Sequence, residues 1–221
     1  MNNIFHSLWS KVVVNINNVV INDPTNSWYA YKAYFENHLS YSKGTKASLG
    51  YRGYYNDTCD MFDDVGSVDS SSSNYVESSN KGFVTRQKNF AESEWVYFCI
   101  NLHSDITTLR KYLPTNIKIK FEFQRNDDKF SLLSHNKLTE FVIELGEMQM
   151  SCKRYRPAKT FQNFYDNQLK SGRNPTLAID RSLIKAYVMN MGTTDLSAYN
   201  LIRGSQLPEQ IIIGGCISRI I

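Results

Sequence analysis

His103, Ser104 and Asp105 stand side by side in "NLHSD", and they are the three residue types of a nucleophile–base–orienter triad. Such a triad transfers acyl groups: the serine attacks, the histidine takes its proton and the carboxylate orients the ring. Adjacent positions do not supply that geometry, because neighbours on an extended segment point to opposite faces. The other histidines, His6, His38 and His135, are scattered along the chain. Acid pairs at Asp63-Asp64 and Asp127-Asp128 lie in polar, turn-like stretches. They read as solvated turns, not as the paired carboxylates of a glycosidase. The sequence contains no GxxxxGKS/T, GxGxxG, HExxH or GxSxG, and no Cys/His cluster at zinc spacing. The expectation is a chain that is not an enzyme, with no catalytic residues, no metal and no cofactor; its binding residues are left unassigned.

One basic cluster stands out. "KRYRP", Lys153 to Pro157, can reach phosphates. The plainer reading is a charged strand end that pairs with acidic neighbours, and nucleic acid stays open as a partner without being indicated. The four cysteines, Cys59, Cys99, Cys152 and Cys216, form no CxxC pair and read as free thiols of a reducing compartment. The opening residues, "MNNIFHSLWSKVVVNINN", lack a basic stretch followed by a long apolar core, so a chain made inside the cell and not secreted is expected. Asn56-Asp57-Thr58 is then not a glycosylation site in practice. No window approaches the roughly 18 apolar residues that span a bilayer.

The elements that must position these residues follow from periodicity. "KVVVNINNVVI", Lys11 to Ile21, alternates as a strand with Val12, Val14 and Ile16 on one face. Asp23-Pro24 marks a turn. Ser27 to Tyr41 suits a helix whose Trp28, Tyr31, Phe35 and Leu39 face the core. Seven of the sixteen residues from Val65 to Asn80 are serine, too little apolar area to order the segment well, so a long surface loop is expected at about 65–82. Ala91 to His103 reads as a buried strand. "SDITTLRKYLPTN" reads as a short helical turn closed by Pro114. Ile117 to Gln124 is the clearest strand, with Ile117, Ile119, Phe121 and Phe123 on its inner face. Glu140 to Cys152 reads as a strand with a bulge at Gly146, where the alternation changes phase. Ala158 to Gly172 reads as a helix with Phe161, Phe164, Tyr165 and Leu169 on one face and Gly172 at its end. Ser182 to Met191 and "EQIIIG" complete the strands.

Composition agrees with a globular chain: 42% hydrophobic, 21% charged, 13% aromatic, with a net charge of +4. A mildly basic surface of this size does not by itself call for nucleic acid. Many strands, few helices and no βαβ rhythm point to a mainly β chain: an antiparallel jelly-roll sandwich with one to three short inserted helices, as a single domain over 1–221.

Four blocks together resemble the capsid proteins of Polinton/Maverick elements and the related adintoviruses. They are "DPTNSWYAYKAYFENHLSY", "LHSDITTLRKYLPTNIKIKFEF", "FSLLS" and "QLPEQIIIG", in that order over about Ile21 to Gly214. Two features depart from the pattern. Glu209 stands where the family more often has a basic residue, and the serine-rich loop is local to this chain. The resemblance implies a hexon-like jelly-roll shell protein located in the virion, assembling as a homotrimer and with other capsid proteins. It also implies two alternatives for "EQIIIGG": the end of the N-terminal half of a double jelly roll, or the last strand of a standalone single-jelly-roll shell component. The family is structural, so it transfers no catalytic residues.

Overall fold

The computed structural model describes residues 2–22, 27–68, 74–109, 111–114, 117–134, 141–174, 176–190, 192–195 and 208–214. The chain divides into two units, Met1–Ser182 and Leu183–Ile221.

The first unit is built on one antiparallel sheet. Its centre is β1 (Trp9–Ile16), flanked by β2 (Val19–Val20) and β5 (Ile119–Arg125) in the order β2-β1-β5. β1 turns into β2 through Asn17 and Asn18, both at positive φ (47° and 69°). That is the two-residue hairpin turn that matches strand twist, and asparagine tolerates it. The expected strand over Lys11–Ile21 is therefore a strand, a turn and a second short strand. Asn22 then substitutes for further ladder: its side chain donates to Val12 O at 2.6 Å and accepts from Val14 N at 2.8 Å.

β5 pairs with β1 so that Val12 faces Phe123 and Val14 faces Phe121. Val14 is 1% exposed, and Phe121 and Phe123 pack on the core formed by Leu8, Trp9, Val12 and Tyr29. The Trp9 and Phe123 rings lie 5.0 Å apart. Burying side chains of this size stabilises by roughly 1.5–3 kcal/mol each. On the outer face, Lys120 pairs with Glu122 at 2.8 Å in solvent.

Among the described residues six α-helices accompany the strands: α1 (Ile4–Ser7), α2 (Tyr29–Ser40), α3 (Lys43–Ala47), α4 (Lys81–Asn89), α5 (Asp128–Ser131) and α6 (Lys159–Lys170). The helix α2 is where periodicity places it, but its face is rotated. Tyr29, Ala33 and Asn37 are buried, whereas Trp28 and Leu39 are exposed. Aromatic size drew the expected stripe; the steps of four among 29, 33 and 37 are the ones that pack.

α4 lay unread beside the serine-rich stretch. Its cap is Asn80, whose side chain accepts from Gly82 N and Phe83 N. The flanks of the serine-rich stretch are ordered as a small ribbon, β3 (Ser67–Val68) with β4 (Tyr75–Val76). Asp64 holds its base, accepting from Gly66 N at 3.0 Å and Ser79 N at 2.7 Å. Gly82 is required there: a Cβ would lie 2.5 Å from Asn56 O.

The structure overturns the jelly-roll expectation. Among the described residues, strand makes up 12% and helix 28%, in sheets of two and three strands. Residues 94–103, 141–152, 182–190 and 208–214 are irregular, so four expected strands are absent there. Alternation is present in 95–102, with Val96, Phe98, Ile100 and Leu102 half-buried and their neighbours exposed, but the segment joins no ladder. Among the described residues its one backbone bond to a distant segment runs from Cys99 N to Tyr51 O at 3.3 Å. Periodicity marks the two faces of a strand; a strand also needs a neighbour to take its backbone groups. No bulge forms at Gly146, which instead lies against the Trp95 ring. The turn expected at Asp23-Pro24 falls outside the described residues.

α6 and its cap are as read from the sequence. Gly172 adopts φ 78°, Gly172 N donates to Leu169 O and Arg173 N to Gln168 O. That pair of bonds is the Schellman ending. In the second unit the described residues form no regular element, and Ile211–Ile213 are exposed.

Candidate functional site

The polar residues that the fold brings together lie inside it. α2 carries Tyr29, Lys32 and Glu36 at i, i+3 and i+7, which places them on one stripe. α1 delivers His6 from one side. The turn at Ser104–Thr107 delivers His103 and Asp105 from the other. Thr107 shapes that turn: its hydroxyl donates to Leu102 O or Ser104 O and accepts from Ser104 N. Thus "HSD" is buried because a Ser/Thr turn folds it inward.

The tyrosine hydroxyl is the hub. Tyr29 Oη lies 3.0 Å from His6 Nδ1 and accepts from His103 N at 3.3 Å. His103 Nδ1 meets Glu36 Oε2 at 2.5 Å, and the two histidine rings approach edge-on at 4.7 Å between centroids. Lys32 bridges the acids, pairing with Asp105 and lying 3.6 Å from Glu36. Asp105 also accepts from Ser182 N at 3.4 Å.

Burial sets the proton affinities. It lowers His6 to about 3, helped by the charges of His103 and Arg52. Burial raises Tyr29, against its bond from His103 and with the Glu36 charge. Burial also raises Glu36, but the His103 bond and the Lys32 charge outweigh it, and the carboxyl ends below its usual range.

Chemically, this cluster is a bolt. His6, Tyr29, His103 and Asp105 are all buried. His103 turns to Glu36 and Asp105 to Lys32, and among the described residues no bond joins Ser104 Oγ to either. The triad types are adjacent and divergent. What the cluster does is tie α1, α2 and the 104–107 turn through ionisable groups, with a neutral His6 at the centre.

The other singled-out residues are structural or exposed. Asp57 pairs with Arg86 at 2.6 Å and accepts from Asn80 and Asn2. Asp64 organises its turn, as described. Asp127 caps α5, and Asp128 joins Arg125 while accepting from Ile143 N. His38 rests on Tyr34 at 4.3 Å, with its proton affinity lowered by burial and by Lys46. Cys59, Cys99 and Cys152 are free and exposed. His135 and Cys216 fall outside the described residues. Among the described residues no group of three or more His, Cys, Asp or Glu can hold a metal ion. No helix among them is long and apolar enough to cross a membrane.

Lys153, Arg154 and Arg156 are exposed, and among the described residues none forms an ion pair, so the expected strand end paired with acids is not found. Tyr155 instead meets the Tyr112 ring at 4.8 Å.

A second surface has the opposite character. From residue 141 to 182 no described residue is buried. Phe141, Val142, Met148 and Met150 are exposed, and so is the α6 face with Phe161 at 58% and Phe164 at 59%.

No family model matches the chain. The chain is similar to uncharacterized protein F54H12.2 of Caenorhabditis elegans, 22% identical over 216 residues. The match takes in 97% of this chain and 46% of that protein, so the chain spans about half the length of the curated relative it matches. No solved structure matches.

Proposed function

We propose that the chain is a structural subunit of a viral or transposon-encoded shell, without catalytic activity, that associates with further copies and with other shell proteins. The observation that carries this reading is the apolar surface of 141–182. An ordinary monomer seldom shows a contiguous apolar patch above a few hundred Å². Phe141, Val142, Met148, Met150, Phe161 and Phe164 are all exposed between residues 141 and 164, so large apolar side chains lie open on two neighbouring segments of the chain. Symmetric assembly reuses one such patch at every subunit, and repeated modest contacts add up.

One further feature supports the reading: the four sequence blocks resemble capsid proteins in order and spacing. The resemblance bears on role and not on fold, since the sheets among the described residues have only two and three strands.

Light scattering after size exclusion, over a range of protein concentration and salt, tests the proposal. A trimer or larger species that strengthens with salt supports it, because apolar contact is not screened. A mass that stays at one chain throughout contradicts it.

A further inference from the structure

We infer that the surface formed by Lys111, Tyr112, Lys153, Arg154, Tyr155 and Arg156 binds single-stranded nucleic acid. The inference stands apart from the shell proposal. Three observations carry it. First, the four cations are exposed, and no carboxylate among the described residues neutralises them. Second, the Tyr112–Tyr155 ring contact at 4.8 Å brings together two basic segments that lie 43 positions apart in the sequence. Third, both rings remain open: Tyr112 is 75% exposed and Tyr155 is 62% exposed.

Two open rings in mutual contact present flat apolar faces to a ligand. Cations beside rings suit a ligand that carries regularly spaced charge and flat apolar faces. Single-stranded nucleic acid is that ligand: phosphates meet Lys and Arg while unpaired bases stack on tyrosine. A duplex hides its base faces, and an anionic lipid surface offers charge without flat faces. The tilt of 54° between the rings leaves each free to take its own base.

The probe is a fluorescent oligothymidylate of about 20 nucleotides, titrated with the full chain and read by anisotropy. With four cations on phosphates the salt slope is about −3, so affinity falls roughly fiftyfold between 50 and 200 mM salt. Lys153→Gln with Arg154→Gln and Arg156→Gln lowers affinity and brings the slope close to −1. Tyr112→Ala with Tyr155→Ala weakens binding about tenfold or more and leaves the slope unchanged. Tyr112→Phe with Tyr155→Phe restores most of it, and circular dichroism checks that each variant keeps its fold. The inference is overturned by no binding at 50 mM salt. It is overturned equally by duplex DNA or phosphatidylserine vesicles competing as well as the oligonucleotide, or by tyrosine variants that bind as the parent does.

Discussion

Residues 2–131 and residues 141–182 have similar apolar alternation and opposite fates. Among the described residues of the first region ten hydrophobic residues, from Ile4 to Ile106, are buried, and β1 has a neighbour on each edge. Among those of the second region none is buried, and the one regular element is α6. The difference lies in partners. Val12 and Val14 have Phe123 and Phe121 across a ladder. Phe141 and Val142 have no ladder: the amide of the next residue, Ile143, is taken by the Asp128 side chain. A segment patterned for a sheet but given no ladder among the described residues is where the contacts proposed above would lie.

The largest effects belong to the first region. Trp9→Ala removes the ring that packs on Phe5 and Phe123 and costs about 3–5 kcal/mol in urea unfolding. A loss under about 1 kcal/mol would mean that the sheet face is not the core.

Next is Asp57→Ala. It strands the Arg86 guanidinium, whose side chain is 8% exposed, and costs roughly 3 kcal/mol, because a buried charge loses its counter-ion. Arg86→Met should recover part of that loss in the double variant.

The third effect is pH dependence. His6 titrates at 6.5 when unfolded and at about 3 when folded. The unfolded chain therefore binds the extra proton below 6.5, and stability present above that pH is lost as pH falls towards 3. By pH 5 the loss from His6 is about 2 kcal/mol. Glu36, held below its usual range, adds a loss in the same direction under more acidic conditions. His6→Gln should shrink the difference in unfolding free energy between pH 7 and pH 5 by about that amount. An unchanged difference would place His6 in contact with solvent.

The smallest effects sharpen the contrast. Asn80→Ala removes a fully buried helix cap and costs about 1–2 kcal/mol. Phe164→Ala in the second region changes the stability of the isolated chain by no more than about 0.5 kcal/mol, yet it should weaken self-association.

The sequence carried the elements that own their stabilising contacts. β1, β5, α2 and α6 were legible as periodic runs, and Gly172 as the residue able to take a left-handed ending. The face of α2 was not, because aromatic size outweighed spacing: Ala33 and Asn37 pack while Leu39 does not. α4 was missed because its stretch is polar, and its marker was Asn80 in the cap position. The strands expected at 91–103 and 140–152 failed because alternation does not say whether a neighbour exists. The site was half legible. Tyr29, Lys32 and Glu36 share a stripe that spacing reveals, but His6 and His103 arrive from 23 and 74 positions away from Tyr29. Nothing local announces such a meeting.

Hydrogen exchange of backbone amides, followed against protein concentration, tests the contrast most directly. The account predicts strong, concentration-independent protection at Trp9–Ile16 and Ile119–Arg125. It predicts rapid exchange over 141–152 in dilute solution and slow exchange there once the chains associate. Protection of 141–152 in the dilute chain, or its continued rapid exchange in the associated state, would contradict the claim that this region is completed by a partner.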